Sequence, residues 1–415
     1  MKFIADLHIH SKYSRATSGK MNVDELSESA KVKGVNILGT GDFTHPKHLA
    51  DLKIGLEDAG NGVFKKNGVN FILSTEIANL FTWEHKGRKV HNVILAPSFE
   101  IVDQINESLL KWGRLDYDGR PMFGKTCVEL MDLCLSISKD ITVIPAHVWT
   151  PWFAVFGSNS GFDRLEDCFQ SHTKDIFAIE TGMSSDPAMN WRLSALDNVA
   201  LVSFSDAHSP YPWRLGREAC VFELEKPDYF EMMKAIRSKD KDRFLYTIET
   251  DPAYGKYHYD GHRACSIVLS PEEAKKYNNI CPVCRRQLTI GVAHRVEELA
   301  DRPAGFVPKG AIPFRTLLSL SEIIAGVFNT TPESKTVYRE FNQTIKALGD
   351  ELSILLDLPE ERLRKEINGK VVDTIMKGRE GKIKIKPGYD GVYGEPVFEK
   401  TDVETKPTQK SLLDY

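Results

Sequence analysis

A chain of 415 residues, 41% of them hydrophobic, has ample length for a large core and more than one domain, and its formal net charge of −4 excludes a uniformly basic nucleic-acid binder. No run of about 18 apolar residues occurs, and the start lacks a charged segment followed by an apolar one, so a soluble cytoplasmic protein with no membrane partner is expected. Seven cysteines, an odd number with three of them at 265, 281 and 284, fit metal binding better than a disulfide framework. Cys127, Cys134, Cys168 and Cys220 sit among apolar residues and are expected in the core.

Phe3, Ile4, Leu7 and Ile9 predict a first strand, on which Asp6, His8 and His10 share one face at intervals of about 6–7 Å. Two imidazoles and a carboxylate so placed can chelate a divalent metal. Val23–Lys33 reads as a helix with Asn22 as N-cap and Gly34 as stop, and residues 35–38 as a buried strand. The beat repeats through 71–74, 93–96, 141–144, 176–179 and 199–204, which argues for an α/β fold with parallel strands in a barrel or an open sheet. Ligand-type residues recur at the ends of these runs: Asp42, His45, Glu76, His91, His147, Asp206 and His208. In a parallel barrel such ends converge on one face. A closing helix is expected over 228–239.

Composition changes at 254–263. His262-x-x-Cys265 and, further on, Cys281-x-x-Cys284 form two knuckles able to close a tetrahedral structural zinc site, with His258 and His294 as rival fourth ligands. Residues 314–328, 332–356 and 359–376 read as helices. Residues 370–386 carry Lys370, Lys377, Arg379, Lys382, Lys384 and Lys386 and read as a solvated loop open to phosphate contact. From Thr401 onward the chain is polar and is expected to be disordered.

Taken together, Asp6-Leu7-His8-Ile9-His10, Glu76, His147 and Asp206-Ala207-His208 resemble the polymerase and histidinol phosphatase (PHP) superfamily over roughly residues 1–225. The resemblance implies a distorted seven-stranded β/α barrel holding two or three metals for phosphoester hydrolysis. His8, His10, Glu76, His91, His147, Asp206 and His208 are then the ligand candidates. The chain departs from the family pattern in two places. Residues 11–18 offer no His, Asp or Glu, and Thr40-Gly41-Asp42-Phe43-Thr44-His45 stands where many members carry Thr-Asp-His, so Asp42 or His45 substitutes there. The layout as a whole, with Cys281-Pro282-Val283-Cys284 and the stretch from Ala293 to Arg302, is most similar to the endonuclease Q type of DNA repair enzyme.

That resemblance implies a barrel over 1–235, a small zinc-binding module over 236–303, a helical and partly basic C-terminal domain over 304–395 and a flexible tail over 396–415. It implies hydrolysis of the phosphodiester bond 5′ to deaminated bases (hypoxanthine, uracil, xanthine) or abasic sites, with the base flipped into a pocket and water activated by metal. Zinc, manganese, iron and magnesium all suit the donor set. Glu76 is the expected bridging carboxylate, with Asp206, His208 and Asp6 as further catalytic residues, Asp6 by orienting a ligand histidine. The aromatic stretches after His147 (Trp149, Trp152, Phe153) and His208 (Tyr211, Trp213, with Arg214) are expected at the mouth of the site, with Lys12 and Arg15 as phosphate contacts. The expected partners are duplex and single-stranded DNA carrying damaged bases and, through Gln409, Leu412 and Tyr415, a DNA sliding clamp, in a nucleoid-associated protein. The rival readings are a PHP-family phosphatase of small molecules and a non-catalytic DNA-binding protein.

Overall fold

Lys2–Asp6 forms the first strand, buried from Ile4 inward, and lies between Ile37–Gly39, to which it is parallel, and Ala219–Glu223, to which it is antiparallel. The computed structural model describes residues 1–398. Ile37–Gly39 pairs in parallel with Val69–Trp83, which pairs antiparallel with Lys86–Ala96, and that strand pairs antiparallel with Thr142–Pro145. Ala178–Glu180 and Ala200–Val202 form a separate parallel pair. It is tied to the main sheet on one side by the Val148 N–H donating to the Glu180 carbonyl (3.1 Å) and on the other by a parallel bridge between Ile9 and Ala207. Phe244–Glu249 and Phe314–Thr316 extend the sheet outward from Ala219–Glu223. Among the described residues no helix is long and apolar enough to cross a membrane.

The expectation of parallel strands holds for part of this sheet and fails at Val69–Trp83 and Lys86–Ala96. These two strands are joined through Glu84 and His85, both at positive φ (47° and 62°), and a two-residue connection can only make an antiparallel hairpin. The strands are also longer than the apolar runs that announced them, because their outer halves carry polar residues. Successive strand residues face two different apolar clusters, Ile4, Leu38 and Ile94 in one and Ala5, Ile37 and Val93 in the other. Burial on both faces explains why the strands read as continuous apolar runs.

Val23–Lys33 is a helix, capped by Asn22, whose side chain accepts from the Glu25 N–H, and closed by Gly34 in the left-handed region (φ 91°). Tyr229–Ser238 is the closing helix, with Asp228 as its cap. The C-terminal expectation needs correction. Phe314–Thr316 is a strand, and the helices are Leu320–Val327, Lys335–Leu348, Glu351–Leu356, Glu360–Glu366 and Gly369–Arg379. The chain breaks at Gly349 (φ 104°) and again at 367–368, so each short helix turns its apolar face onto a shared cluster containing Ile323, Phe341, Leu355 and Val372. Lys33 and Glu351, both buried, form an ion pair of 3.0 Å that joins the first helix to this part. The basic stretch is not one loop: Arg379 donates to the Ile354 and Leu355 carbonyls inside the helical cluster, while Lys370, Lys377, Lys382, Lys384 and Lys386 are exposed. Gln409, Leu412 and Tyr415 lie outside the described residues.

Candidate metal centre

The first strand ends at Asp6, and the chain continues extended, with Leu7 and Ile9 turned into the core and His8 and His10 turned the other way. The His10 N–H donates to the Ala207 carbonyl (3.0 Å), so the segment carrying Asp206 and His208 lies against the histidine pair. Glu76 and His91 are not at strand ends, as the sequence suggested, but within the hairpin. His91 lies opposite Ala78, and Glu76 is two residues from Ala78, so the two side chains leave the same face as diagonal neighbours. His147 follows Thr142–Pro145 and sits at φ 30°, and Asp206 sits at φ 48°. A histidine in the left-handed region is backbone strain that its surroundings must hold, and Glu180 Oε2 does so by accepting the His147 N–H (2.7 Å).

These elements bring His8, His10, Glu76 and Asp206 together, one donor atom each within 4.8 Å of one another, and Glu76, His91 and His147 likewise. Nε2 of His8 lies 3.7 Å from Glu76 and 3.6 Å from Asp206, and Nε2 of His10 lies 3.3 Å and 3.1 Å from the same two carboxylates. Glu76 Oε1 is 2.7 Å from His91 Nδ1 and 3.2 Å from His147 Nε2. Donors about 2.1 Å from one tetrahedral ion stand roughly 3.4 Å apart, which is the spacing between the histidines and carboxylates of the first group. His8 Nε2, His10 Nε2 and Asp206 Oδ1 are buried with no hydrogen-bond partner, all three inside the first group, and a cation would satisfy them together. The residues therefore fit a divalent metal, and Glu76 belongs to both groups.

Charge and support agree with that fit. Burial opposes a charge on His8, yet Glu180, Asp206 and Glu76 outweigh it and hold the imidazole well above its usual range. His10 is raised in the same way by Asp42, Asp206 and Glu76, whereas burial takes His91 down to about 4. For Glu76, burial is outweighed by His91, Arg120 and His8, which keep it well below the ordinary carboxylate range. Each orphaned histidine is fixed by a carboxylate behind it: His8 Nδ1 donates to Glu180 (2.9 Å) and His10 Nδ1 donates to Asp42 (3.0 Å).

Several expectations change here. Asp42 is not free to bind metal, because Oδ1 takes the His10 proton and Oδ2 accepts from the Ser11 N–H (2.6 Å), the Ser11 hydroxyl (2.6 Å) and the Ser14 hydroxyl (2.9 Å). His45 is off the cluster, stacked on Tyr13 at 4.4 Å. His208 stands beside the cluster with its ring 4.6 Å from His10, and its Nδ1 donates to the Asp206 carbonyl. Asp6 does not orient a histidine. It accepts from Ser205 and from the Gly216 N–H (2.9 Å), pinning the loop that carries Asp206 and His208, and burial lifts its carboxyl to about 6. Glu180 and Arg120 were missed. Glu180 ends the 176–179 run and obeys the same strand-end rule as the others, while Arg120 lies in an aperiodic loop with no sequence signal.

The aromatics divide. Trp149 is fully buried, with its indole N–H on Asn190 (2.8 Å), and is core rather than mouth. Trp152 is 41% exposed and packs edge-on against Tyr257, and Phe153 lies 4.6 Å from His91. Tyr211 and Trp213 stack in parallel at 4.9 Å. Trp213 and Arg214 border a cavity of about 140 Å³ shared with Met183, Thr250, Tyr254 and Glu322. Lys12 pairs with Asp51 (3.2 Å) and Arg15 with Asp118 (3.5 Å).

A second group stands apart. His262, Cys265, Cys281 and Cys284 place one donor each within 4.8 Å, with Cys284 Sγ 3.4 Å from His262 Nδ1. His294, a rival ligand by sequence, gives its Nδ1 proton to Asp260 (2.6 Å). Burial works against ionisation of Cys281, but the Cys284 and Val283 N–H groups bring its thiol down to about 7, which suits a thiolate donor. The stretch from Ala293 to Arg302 docks this module on the connecting segments beside the sheet: Arg295 donates to the Phe156 and Phe162 carbonyls, and Arg302 pairs with Asp197. The 388–391 turn covers its other side, where Asp390 accepts from the Arg263 N–H (2.6 Å) and the Thr289 hydroxyl (2.7 Å).

Residues 319–382 match the family model of the MJ0043 C-terminal domain. The uncharacterized protein MJ0043 of Methanocaldococcus jannaschii is 36% identical over 262 residues, which is 62% of this chain but only 32% of that protein. YqxK of Bacillus subtilis is 25% identical over 95% of this chain and 99% of its own length. Among solved structures, the lesion-specific endonuclease PfuEndoQ of Pyrococcus furiosus is 33% identical, with a TM-score of 0.86 over 95% of each chain. An endonuclease Q in complex with a 27-mer duplex bearing an abasic lesion at the active site is 32% identical, with the same TM-score over 96% of this chain and 97% of that one. At that identity over nearly the whole of both chains, this chain belongs to the endonuclease Q family.

Proposed function

We propose that the chain is a DNA repair endonuclease that hydrolyses the phosphodiester bond 5′ to a deaminated base or an abasic site. The observation that carries the reading is the pair of donor groups sharing Glu76, retained in a chain that matches lesion-processing endonucleases from end to end. His8, His10, Glu76 and Asp206 would hold one divalent ion and Glu76, His91 and His147 a second. His208, whose ring is 4.6 Å from that of His10, would serve a third. Such ions, drawn from zinc, manganese, iron or magnesium, acidify water at neutral pH and screen charge on phosphate oxygens.

The chain's own residues position the strand being cut. Glu180 and Asp42 hold the histidines in one orientation, so no reorganisation is needed when the phosphate arrives. Phe153, beside His91, offers an aromatic face at the cluster for an extruded base, and Trp152 and the Tyr211–Trp213 stack are aromatic faces for its neighbours. Lys12, Arg15, Arg214 and the exposed lysines of 370–386 supply cations for the duplex backbone. The His262–Cys284 group, closed by four protein donors, would hold a structural zinc. The tail from Thr401, with Gln409, Leu412 and Tyr415, would dock a sliding clamp in a nucleoid-associated enzyme.

The test is incision of labelled duplexes carrying one hypoxanthine, uracil, xanthine or abasic site, with and without chelator. Chelator-sensitive nicking 5′ to the lesion is the expected result. Failure on every lesion, together with phosphate release from small monoesters, would overturn it in favour of a phosphatase.

A further inference from the structure

We propose that Arg120 is a catalytic residue that binds the phosphate undergoing hydrolysis, an inference that rests on the phosphodiesterase reading above. Arg120 Nη1 lies 3.0 Å from Glu76 Oε2, so its guanidinium touches the carboxylate common to both donor groups. Glu76 is fully buried, whereas 27% of the Arg120 side chain is exposed, so the guanidinium bridges the cluster and its opening. A guanidinium has five N–H donors and Glu76 occupies one side of the fork, which leaves donors in the geometry that suits phosphate oxygens. Lys12 and Arg15, the cations that sequence pointed to, pair with Asp51 and Asp118 rather than with a donor of the cluster.

The loop that carries Arg120 is built to hold it there. The Asp118 carboxylate accepts from the Arg120 N–H (3.2 Å) and from the Arg15 N–H (3.3 Å). The Gly119 N–H donates to the Tyr13 carbonyl (3.1 Å), and the Gly119 carbonyl accepts from the Thr44 hydroxyl (3.1 Å). A side chain at Gly119 would stand 2.3 Å from Asp42 Oδ2 and 2.4 Å from Ser14 Oγ, so only glycine lets the loop pack on the carboxylate that fixes His10. Arg120 shares the neutralising of Glu76 with the histidines that surround that carboxylate within 3.7 Å, and a single Nη1 contact serves that purpose, which leaves the rest of the guanidinium for another anion. A preformed cation beside them is placed for charge that develops on another group.

In the reaction a water oxygen bonds to phosphorus as the bond from phosphorus to the leaving oxygen breaks. One water proton goes with the leaving alcohol, and the other stays on the new phosphomonoester until it ionises into solvent. Charge on the non-bridging oxygens is what Arg120 would neutralise.

The experiment is single-turnover incision of a labelled duplex with one abasic site, at saturating protein, for wild type, Arg120→Ala and Arg120→Lys. Bound metal is measured by mass spectrometry and DNA affinity by anisotropy on the same preparations. Arg120→Ala should cut about 10²–10³-fold more slowly with unchanged metal content and DNA affinity within about tenfold, and added guanidinium or Arg120→Lys should restore part of the rate. An alanine variant within about threefold of wild type, or metal lost in proportion to rate, would overturn the proposal, the latter making Arg120 a support for Glu76. Should wild type cut no lesion duplex, the endonuclease reading fails by itself, and the same variants are compared on bis(p-nitrophenyl) phosphate, where the Arg120 contrast must still appear.

Discussion

The two donor groups of this chain are built on opposite plans. At the Glu76 site six donor residues from five separate stretches of chain converge, and His8 and His10 are fixed from behind by carboxylates that are themselves buried. The group at His262 draws its four donors from two short knuckles, with Cys284 exposed and Cys281 buried. The first depends on the whole sheet being formed before it exists, the second on little beyond its own turns. A shared carboxylate, an orphaned Asp206 oxygen and a neighbouring cation belong to a site that must admit something; four donors that satisfy one ion belong to a site that admits nothing.

The largest effect should come from removing a donor of the first group. His8→Ala or Asp206→Ala should lower incision of a lesion duplex by more than about 10³-fold while Tm and DNA affinity change little, because the cations proposed for the duplex backbone, Lys12, Arg15, Arg214 and the lysines of 370–386, are not donors of this group. A variant that loses DNA binding in the same proportion would break the contrast. Cys281→Ser should do the reverse, lowering Tm and making the module around 260–290 protease-sensitive, since zinc affinity in such a site is folding free energy on the order of 10 kcal/mol. The rate constant at saturating DNA should hold for the fraction that stays folded. A Cys281→Ser protein with wild-type Tm would remove the structural role.

A smaller effect sharpens the contrast further. Glu180→Gln keeps the shape but replaces the carboxylate that accepts from both His8 Nδ1 and the His147 N–H. Loss of such support typically costs about 10–100-fold in metal affinity or activity. Metal titration read by calorimetry should therefore weaken in the Glu76 group and leave the His262 group unchanged. Equal weakening at both would mean that Glu180 acts on the fold as a whole.

The sequence made the donors legible and their surroundings opaque. His8, His10, His147 and Asp206 end apolar runs, so a rule about strand ends finds them. Glu76 and His91 were named for the same reason although they lie inside a hairpin whose polar outer half hides its length. Asp42 reads as a ligand because a sequence shows that a carboxylate is present but not which of its lone pairs are taken; here two serines and a histidine take them. The C-terminal helices read as three long ones because apolar spacing runs through Gly349, where only the backbone turns. Arg120 could not be found at all, since its position follows from how an aperiodic loop packs on Asp42.

The smallest effect concerns an aromatic contact between the two regions described above. Trp152, 41% exposed, packs edge-on at 5.5 Å against Tyr257, at the start of the segment that leads into the His262 group. Trp152→Ala should cost less than about 1 kcal/mol in stability, because little area is buried, whereas Trp149→Ala, emptying a fully buried site, should cost about 3–5 kcal/mol. If Trp152 stacks on a base, its loss should weaken lesion-duplex binding by about 1–3 kcal/mol with less effect on undamaged duplex. Equal loss on both duplexes would assign Trp152 to holding the two regions together rather than to reading DNA. Retained lesion preference with a lower Tm would do the same, because an edge-on pair worth about 1 kcal/mol would then be all that Trp152 contributes.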